Sequence, residues 1–328
     1  MPEHEPIRIG ILGTARIGYE ALLVPAQQVQ GVHVAVIASR DPARARAYAA
    51  RYRIPRVHSS YEALLTDPDI DAVYIPLPAA LHAEWTIAAI EAGKHVLCEK
   101  PFTSNAEAAA RVASVADGSG QVVMEAYHTH HHPLHARLRE IVASGEVGQI
   151  HTASATFCIP IPPNRDIRWN LTLGGGSLLD VGYYPVRTLT GLFGQTSHVE
   201  HAKAWLQQGV DRRLEATLRF DSGATGKVVS SLWSRQPLNL GLTLQGQTGQ
   251  IKVTRPYHPH QGSRIQIKGI DGQRTERTTR KPTYTYQLEA FRNAIQRGTD
   301  VETNCAAAVR QLQTLDAIYA AAGLQPRP

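Results

Sequence analysis

Cysteine is scarce in this chain of 328 residues, which contains only Cys98, Cys158 and Cys305. The three residues lie far apart in the sequence and form no Cys-x-x-Cys pair. Disulfides belong to oxidising compartments, whereas isolated cysteines are typical of proteins in a reducing compartment. We therefore expect free thiols and a cytoplasmic location.

Long apolar runs are absent as well. No stretch reaches the roughly 18 apolar residues that a membrane-spanning helix requires. The first residues, which include Glu3, Glu5 and Arg8, lack the apolar core of a signal peptide. We therefore expect no membrane contact.

A third absence concerns clustered basic charge. The chain carries 34 basic and 28 acidic residues, a formal net charge of +6. A nucleic-acid surface would need lysines and arginines interleaved with aromatics, and the nearest basic run, Arg274 to Lys281, lies among threonines instead. The expectation is a mildly basic protein with no nucleic-acid partner, whose pocket suits phosphate.

The remaining composition is that of a globular protein, with 43% hydrophobic and 19% charged residues in a length that suits two domains. Over residues 1–126, apolar strands alternate with helical patterns, which predicts an α/β domain with a doubly wound parallel sheet of the Rossmann type. Over residues 127–328, β-like segments and short turns predict a second α/β domain with a large, mostly antiparallel open sheet. Its last helices are expected to pack back near the first domain.

A glycine turn near the start organises the first domain. Apolar residues from Ile7 to Leu12 predict a strand, and a helical pattern follows the turn. The turn reads Gly13-Thr14-Ala15-Arg16-Ile17-Gly18, a Gly-x-Gly-x-x-Gly motif with alanine in the middle. Free N–H groups and the dipole of a helix N-terminus suit a pyrophosphate, so this turn predicts a dinucleotide site. The alternative is one of the many glycine turns that bind nothing.

The end of the second predicted strand bears on cofactor choice. It carries Ser39 and Arg40, where NAD-specific proteins place a carboxylate for the ribose hydroxyls. Asp41 follows, and with Pro42 behind it has the pattern of a helix N-cap. Arginine suits a 2′-phosphate, so NADP is the expected cofactor. NAD is the alternative if Arg40 is an ordinary surface residue.

Several later segments end strands of the same predicted sheet. They are Leu77-Pro78 with the nearby His82, Glu99-Lys100-Pro101, and Glu125. In parallel α/β sheets ligands bind at the carboxyl ends of the strands, so these residues are expected to gather around a ligand. The spacing Ser59-x-x-Glu62 predicts a capping box at the start of a short helix.

In order and spacing, several motifs resemble the Gfo/Idh/MocA family of NAD(P)-dependent oxidoreductases over nearly the whole chain. These motifs are the glycine turn, Glu99-Lys100-Pro101, Met124-Glu125-Ala126-Tyr127, Gly174-Gly175-Gly176-Ser177-Leu178-Leu179-Asp180-Val181-Gly182-Tyr183-Tyr184-Pro185, and the stretch from Tyr284 to Phe291. The resemblance implies a Rossmann domain and an α/β domain whose open sheet commonly forms a homodimer or homotetramer interface. It also implies a cis peptide bond between Lys100 and Pro101.

The branch that the chain resembles contains dihydrodiol dehydrogenases, xylose dehydrogenases and sugar ketoreductases. Members of that branch carry tyrosine where inositol dehydrogenases carry histidine, and here the position is Tyr184. Two departures from the family pattern concern the substrate. The usual Pro-Asn is Pro78-Ala79, and a frequent arginine after Glu125 is replaced within Tyr127-His128-Thr129-His130-His131-His132.

Hydride transfer to a carbonyl needs a proton donor at the oxygen and a positive charge nearby. Tyr184 can donate once a cation lowers its pKa, and Lys100 can be that cation. Asp180 lies four residues before Tyr184 and would share a helix face with it, whereas Tyr183 points elsewhere. Individually, such a lysine is more often on the surface and such a tyrosine more often packed in a core. The resemblance favours a function for both.

The sequence therefore predicts three groups of site residues. The catalytic candidates are Lys100, Tyr184 and Asp180. The candidate cofactor contacts are Gly13, Thr14, Ala15, Arg16, Ile17, Gly18, Ser39, Arg40, Leu77, Pro78, His82, Glu99 and Lys100. The candidate substrate contacts are Tyr127, His128, Arg168, Trp169, Asp180, Tyr183 and Tyr184, with loop anchoring as the alternative for Arg168 and Trp169.

The histidines from His128 to His132 raise the question of a metal site. They lack cysteine or carboxylate partners at ligand spacing, so pocket-lining and helix-start roles are expected and no metal. The expected function is hydride transfer, dependent on NADP(H), at a secondary alcohol or ketone of a sugar, cyclic polyol or dihydrodiol-like substrate. The alternative is a non-catalytic, dinucleotide-binding regulatory protein of the same fold.

Overall fold

The computed structural model describes residues 5–164, 166–235, 238–270 and 272–328. The chain forms two compact units. The first comprises the chain up to Thr103 together with Glu107–His131 and Pro282–Val309. The second comprises Ser104–Ala106, His132–Lys281 and Arg310–Pro328. Each unit therefore draws on segments that are distant in the sequence.

A six-stranded sheet forms the centre of the first unit. Its strands are Ile7–Leu12 (β1), Val32–Ala38 (β2), Arg56–His58 (β3), Ala72–Ile75 (β4), His95–Glu99 (β5) and Val123–Ala126 (β6). The spatial order is β3-β2-β1-β4-β5-β6, and all neighbours pair in parallel. This is the order of a doubly wound dinucleotide-binding sheet, so the predicted fold of the first domain is confirmed.

The core of the first unit follows from strands that are apolar on both faces, as a parallel sheet covered by helices requires. Ile9 and Ile11 of β1 are fully buried with Leu22 from the first helical segment. Leu288 and Phe291, which come from the Pro282–Val309 segment, belong to the same core. A helix more than 250 positions further along the chain thus completes the first unit.

An eight-stranded sheet forms the second unit. Its strands are Ile150–Cys158 (β7), Thr196–Gln207 (β8), Val210–Phe220 (β9), Thr225–Ser231 (β10), Asn239–Gly246 (β11), Gln250–Thr254 (β12), Arg264–Gly269 (β13) and Gly272–Arg277 (β14). The order is β14-β13-β12-β11-β7-β10-β9-β8. Only β7 and β10 pair in parallel among these described strands, so the predicted, mostly antiparallel sheet is confirmed.

The helices in chain order are Val24–Ala26 (α1), Pro42–Tyr52 (α2), Tyr61–Leu65 (α3), His82–Glu91 (α4), Ala106–Ala116 (α5), Pro133–Ala143 (α6), Tyr183–Phe193 (α7), Thr283–Arg297 (α8) and Cys305–Ala321 (α9). Two of them follow directly on a π turn. Tyr19–Leu23 precedes α1, and Leu178–Gly182 precedes α7. π turns are rare and occur frequently at functional sites. Within the described ranges, no helix combines the length and apolar character that crossing a bilayer demands.

Candidate active site

The glycine turn after β1 has a conformation that favours glycine. Gly13 has a φ of +102°, in the region that side-chain-bearing residues rarely adopt. Its N–H donates to the carbonyl of Ala38 at 2.7 Å, and a Cβ at this position would lie 3.0 Å from Leu77 Cδ2. Gly13 therefore allows the chain to turn sharply where β1 ends against β2.

Three N–H groups of this turn are unpaired within the described part of the chain. They belong to Thr14, Ala15 and Arg16 and lie before the helical segment that begins at Ile17. Unpaired N–H groups at the start of a helix carry partial positive charge and attract anions. A pyrophosphate therefore fits this turn.

Tyr48 of α2 supports the turn. Its hydroxyl donates to the carbonyl of Ala15 at 3.3 Å. Burial raises the pKa of Tyr48 to about 12, so the phenol keeps its proton at neutral pH. A Cβ on Gly18 would lie only 2.9 Å from this hydroxyl. The last glycine of the motif therefore makes room for the tyrosine that fixes the middle of the turn.

The end of β2 gathers positive charge. The Asp41 carboxylate accepts from the N–H groups of Ala43 at 2.9 Å and Arg44 at 3.2 Å, so it caps α2 as predicted. Arg40 is exposed and lies beside the hydroxyl of Tyr61. Burial raises the pKa of Tyr61, while the charges of Arg40 and Arg44 act in the opposite direction. Two guanidinium groups and a phenol thus adjoin the strand end.

The same Tyr61 hydroxyl links this basic group to the glycine turn. It would lie 3.6 Å from a Cβ placed on Gly13. Ser39 is buried, and its Oγ accepts from the N–H of Asp41 at 3.3 Å. The residues predicted from sequence at the two strand ends are therefore neighbours, and Arg44 and Tyr61 join them.

His82 ties the end of β4 to the segment after β5. Its Nε2 lies 2.6 Å from the carbonyl of Leu77, and its Nδ1 lies 2.7 Å from the carbonyl of Pro101. Burial lowers the pKa of His82, while its contacts with backbone carbonyls act the other way. The position of the Leu77-Pro78 turn is thus coupled to the segment that carries Lys100.

Two buried carboxyl groups hold the backbone on either side of Lys100. Glu99 Oε2 accepts from the N–H of Lys100 at 3.2 Å, and Glu125 Oε1 accepts from the N–H of Phe102 at 3.1 Å. Glu99 Oε1 also accepts from the Tyr74 hydroxyl at 2.7 Å. Burial raises the pKa of Glu99 to about 7. The Lys100-Pro101 peptide bond is cis, as predicted.

Two of the histidines that follow β6, His128 and His130, have separate partners inside the first unit. Tyr127 and His128 are buried, and His128 Nδ1 lies 2.8 Å from Thr283 Oγ1. His130 Nε2 lies 2.8 Å from Glu302, and burial lowers the pKa of His131 to about 3. The described residues contain no group of three side chains arranged to hold a metal ion. The substrate roles of Tyr127 and His128 stay predictions.

In the second unit, consecutive glycines precede the segment that carries Asp180 and Tyr184. A Cβ on Gly175 would lie 2.6 Å from the carbonyl of Arg168, and one on Gly176, where φ is +134°, would overlap the carboxylate of Asp211. The N–H of Gly176 donates to the carbonyl of Arg168 at 3.0 Å. These glycines therefore let the turn pack directly against neighbouring backbone and a carboxylate.

Asp180 is held by Arg168. Arg168 Nε donates to Asp180 Oδ2 at 2.6 Å, and its Nη1 donates to Asp166 Oδ1 at 3.1 Å. The charges of Asp180 and Asp166 raise the pKa of Arg168, so the guanidinium stays positive at every working pH. The structure therefore brings together two of the residues nominated from sequence.

Tyr184 lies in a cluster of rings within the second unit. The ring of Phe157 meets it edge-on with centroids 5.4 Å apart, and the rings of Tyr257 and His258 lie 5.8 and 6.4 Å away. Tyr183 is fully buried, and its carbonyl accepts from Gln311 Nε2 at 3.2 Å. Tyr184 is therefore surrounded by aromatic and imidazole groups that were not predicted from the sequence.

Trp169 is buried next to Arg168, and its indole N–H has no acceptor among the described residues. Both belong to a short 3₁₀ turn, Ile167–Trp169, whose start is capped by Asp166. Local sequence could have revealed this cap. It could not reveal Tyr61, Tyr257 or His258, because only the fold brings them to residues far away in the chain.

Comparison with known proteins identifies the family. A model of the oxidoreductase family GFO_IDH_MocA, described as an NAD-binding Rossmann fold, matches residues 7–127, and a GFO/IDH/MocA C-terminal domain model matches residues 135–272. The D-xylose 1-dehydrogenase (NADP(+)) 2 of Haloferax volcanii is 38% identical over 317 residues, covering 95% of this chain and 96% of the relative. This chain belongs to the Gfo/Idh/MocA family. It is an NAD(P)-dependent dehydrogenase or reductase that acts on CH–OH groups.

Two further relatives place the chain within the family. A dTDP-3,4-didehydro-2,6-dideoxy-α-D-glucose 3-reductase of Saccharopolyspora spinosa is 37% identical over 277 residues, 81% of each chain. The crystal structure of KijD10, a 3-ketoreductase from Actinomadura kijaniata in complex with NADP and TDP-benzene, superposes with a TM-score of 0.90 at 30% identity, covering 97% of this chain and 98% of that one. KijD10 has also been solved as variants with one tyrosine changed to phenylalanine or one lysine changed to alanine or glutamate.

Proposed function

We propose that this protein is an NADP(H)-dependent sugar oxidoreductase in which Tyr184 is the acid–base group and Lys100 is the assisting cation. The observation that carries the proposal is the shared spacing of this pair. The tyrosine and the lysine that were substituted in KijD10 are separated by the same number of positions as Tyr184 and Lys100. That relative matches nearly the whole chain, which supports the inference that the two pairs correspond.

The preference for NADP(H) rests on the basic group at the end of β2. Arg40 and Arg44 offer two guanidinium groups, and the Tyr61 phenol offers a donor beside them. The carboxylate of Asp41 at this strand end already accepts two N–H groups of α2. It is therefore engaged in capping, whereas a 2′-phosphate would meet bidentate donors.

The nicotinamide, when bound, supplies or accepts the hydride. The residues of this chain have to manage the proton. In the direction of reduction, the Tyr184 hydroxyl gives its proton to the substrate oxygen, and the Lys100 ammonium stabilises negative charge on that oxygen. Glu99, Glu125 and His82 hold the backbone on both sides of Lys100, so this cation is presented from a rigid loop.

The substrate class follows from the relatives. Those named above are a D-xylose 1-dehydrogenase and a 3-reductase of a dTDP-linked deoxy sugar, so a sugar is the proposed substrate. The rings of Phe157 and Tyr257 are buried, and with His258 they pack around the Tyr184 ring and hold it in place. Arg168 orients Asp180 for a substrate hydroxyl.

The experiment is to assay NADPH oxidation against a panel of keto-sugars and cyclic ketones, with NADPH binding measured separately by fluorescence. Tyr184→Phe keeps the ring and removes the donor, so NADPH should still bind while turnover falls by roughly a hundredfold or more. Lys100→Ala should lower turnover at least as much. Tyr52→Phe, which removes the hydroxyl of a tyrosine on α2 that has no part in the proposed proton transfer, is the control and should leave turnover nearly unchanged.

Two outcomes would contradict the proposal. If Tyr184→Phe reduces a good substrate at a near-native rate while Lys100→Ala is inactive, Lys100 is the acid. If the native protein binds NADPH but turns over no carbonyl in either direction, it is the non-catalytic dinucleotide-binding regulator that was the alternative.

We also propose that the protein assembles as a homo-oligomer through its eight-stranded sheet. Four large apolar side chains lie exposed along this sheet or beside its strands: Leu206 at 52%, Trp233 at 42%, Leu238 at 70% and Ile270 at 80%. Apolar side chains exposed on one sheet supply the contacts that an interface between copies would bury. Light scattering should give the mass of a dimer or tetramer, and Leu206→Lys should lower that mass, whereas a monomeric mass for the native protein contradicts the proposal.

A further inference from the structure

A single buried carboxylate lies at the start of the segment that carries Tyr184. Asp211 on β9 is fully buried. Its Oδ2 accepts from Ser177 Oγ at 2.9 Å and from the N–H of Leu178 at 2.7 Å, and its Oδ1 accepts from the Tyr319 hydroxyl at 3.2 Å. The guanidinium of Arg327 also donates to Oδ1. Asp211 thus joins β9 to the glycine-rich turn, to α9 and to the segment after α9.

Asp211 acts as a cap supplied from a distant strand. Leu178 begins the π turn Leu178–Gly182, which contains Asp180 and runs into α7 with Tyr184. Ser177, the residue before this turn, makes no capping bond of its own there. A carboxylate that accepts an N–H at a helix start stabilises the first turn through the hydrogen bond and the helix dipole. The first turn is therefore fixed by Asp211.

Gly176 makes this arrangement possible. A Cβ at Gly176 would overlap Asp211 Oδ1 and would lie 3.2 Å from Arg327 Nη2. Only a glycine leaves space for the carboxylate and the guanidinium beside the turn. The glycine at position 176 is thus required because the Asp211–Arg327 pair packs directly against it.

Arg327 supplies the charge that a buried carboxylate needs. Its side chain is 5% exposed, its guanidinium lies over the Tyr319 ring at 4.3 Å, and its carbonyl accepts from Asn105 Nδ2 at 2.7 Å. Removing one partner of a buried ion pair leaves an uncompensated charge, which is strongly destabilising at that spot. The remaining carboxylate would then draw water or a different donor, and its bond to Leu178 would be disturbed.

We propose that Arg327 is a positioning residue for catalysis: through Asp211 it fixes the turn that presents Asp180 and Tyr184 to the substrate. The inference rests on the proposed roles of these two residues. Arg327 is remote in sequence from Asp180 and Tyr184. We expect it to affect turnover through Asp211 and not through contact with cofactor or substrate. Small displacements of catalytic groups reduce rates steeply, so the effect is on kcat rather than on binding.

The central test compares Arg327→Met with Arg327→Lys in the full chain. Arg327→Met should lower kcat by about tenfold or more, while the KM for substrate and the Kd for NADPH change by less than about threefold. Arg327→Lys keeps the charge and should recover most of kcat. Arg310→Met, which removes an exposed arginine from α9, is the matched control and should behave as the native protein.

A double variant separates positioning from a direct effect of Arg327. Asp211→Asn combined with Arg327→Met removes both charges, and the asparagine oxygen can still accept from Leu178. If Arg327 acts through Asp211, kcat of the double variant should exceed that of Arg327→Met alone, a positive coupling in the double-mutant cycle. If Arg327→Met does not fold, the same comparison is made between Arg327→Gln and its combination with Asp211→Asn.

If Arg327 only stabilised the fold, its substitution would lower the unfolding temperature without a specific loss of kcat. Ile265→Ala truncates a fully buried side chain on β13 and should lower the unfolding temperature without a specific loss of kcat. If Arg327→Met shows the same pattern, or if it retains native kcat, the inference is wrong. Tyr184→Phe keeps this failure distinct from failure of the proposed function, because a near-native rate for Tyr184→Phe refutes the acid–base assignment itself.

Discussion

The two units make opposite use of a glycine-rich turn. In each, glycines lead into a π turn, Tyr19–Leu23 in the first unit and Leu178–Gly182 in the second, and an α-helix follows. In the first unit the N–H groups of Thr14, Ala15 and Arg16 are unpaired within the described residues. In the second, the N–H of Leu178 is bound by the carboxylate of Asp211.

The turn in the first unit can therefore bind an anion, whereas the turn in the second unit already binds the carboxylate of Asp211. Both have the glycines and the helix start that attract negative charge. The second turn satisfies that attraction with a carboxylate from its own chain and a guanidinium behind it. Glycine content alone therefore does not indicate a phosphate site, and the partners of the N–H groups decide the matter.

Among the substitutions that test this difference between the two turns, Gly176→Ala is expected to have the largest effect on stability and activity. The added Cβ would overlap an Asp211 carboxylate that four donors hold in place, and φ is +134°. We expect the free energy of unfolding to fall by about 4 kcal/mol or more and catalysis to be lost. Calorimetry and the NADPH oxidation assay measure the two effects.

Gly13→Ala is the counterpart in the first unit and should be milder. Its Cβ would meet the end of a flexible leucine side chain at 3.0 Å, so the neighbour can move, although φ of +102° still strains the backbone. The main effect should be a weaker NADPH affinity, about tenfold or more. A larger loss of stability in Gly13→Ala than in Gly176→Ala would reverse the comparison.

The second-largest effect concerns the buried carboxyl group of Glu99. The buried carboxylate of Asp211 is paired with the Arg327 cation, whereas Glu99 accepts a hydrogen bond from the neutral Tyr74 hydroxyl. Burial raises the pKa of Glu99 from 4.5 to about 7. Because the folded-state pKa lies above the unfolded one, its contribution to stability is fully present below about pH 4.5 and is lost as the pH rises to about 7. That loss amounts to about 3 kcal/mol.

Glu99→Gln removes this titration. The free energy of unfolding of Glu99→Gln, measured by urea denaturation, should therefore gain on that of the native protein between pH 4.5 and pH 7. Glu107→Gln on α5 alters an exposed carboxylate and should show no such trend. Parallel curves for the native protein and Glu99→Gln across this pH range would show that Glu99 does not titrate there.

The parallel sheet and the dinucleotide turn could be predicted because their signals are local. The buried strand Ile7–Leu12, the turn at Gly13 and the Asp41 cap each depend on residues within a few positions. The capping box at Ser59 was wrong by one residue. The cap of α3 is Ser60, whose Oγ accepts from the N–H of Ala63 at 3.1 Å, because the chain stays extended through Ser60 before the helix begins.

The contacts that hold the glycine-rich turn of the second unit could not be predicted, because the residues that make them are far apart in the chain. Asp211 meets Leu178, Tyr319 and Arg327 because the fold brings β9, α9 and the segment after α9 to the glycine-rich turn. The i, i+4 relation expected for Asp180 and Tyr184 assumes a regular α-helix, whereas a π turn precedes Tyr183. No sequence period indicates where such a turn occurs.

The third effect concerns cofactor choice at the basic group of the first unit. Arg40→Asp puts a carboxylate where the 2′-phosphate is proposed to bind, so repulsion should invert the preference from NADP(H) to NAD(H). We expect the ratio of the two affinities to change by about a hundredfold. Arg46→Asp makes the same charge change at an exposed site of α2 and should leave the ratio nearly unaltered. Equal affinity of the native protein for NADPH and NADH would remove the basis of this prediction.

The smallest expected effect tests how the first turn is kept open for its ligand. Tyr48 donates to the carbonyl of Ala15 at 3.3 Å, a long and hence modest hydrogen bond, yet the one that orients the middle of the turn. Tyr48→Phe should weaken NADPH binding by about 1 kcal/mol, roughly fivefold in Kd, with little change in kcat. Tyr52→Phe is the matched control, since this ring packs edge-on against Tyr48 at 4.6 Å on the same helix. If both variants weaken NADPH binding equally, the effect is not specific to the hydrogen bond from Tyr48 to Ala15, and the prediction is wrong. If Tyr48→Phe alone does so, the first turn depends on a neutral donor from its own unit, just as the second depends on a carboxylate.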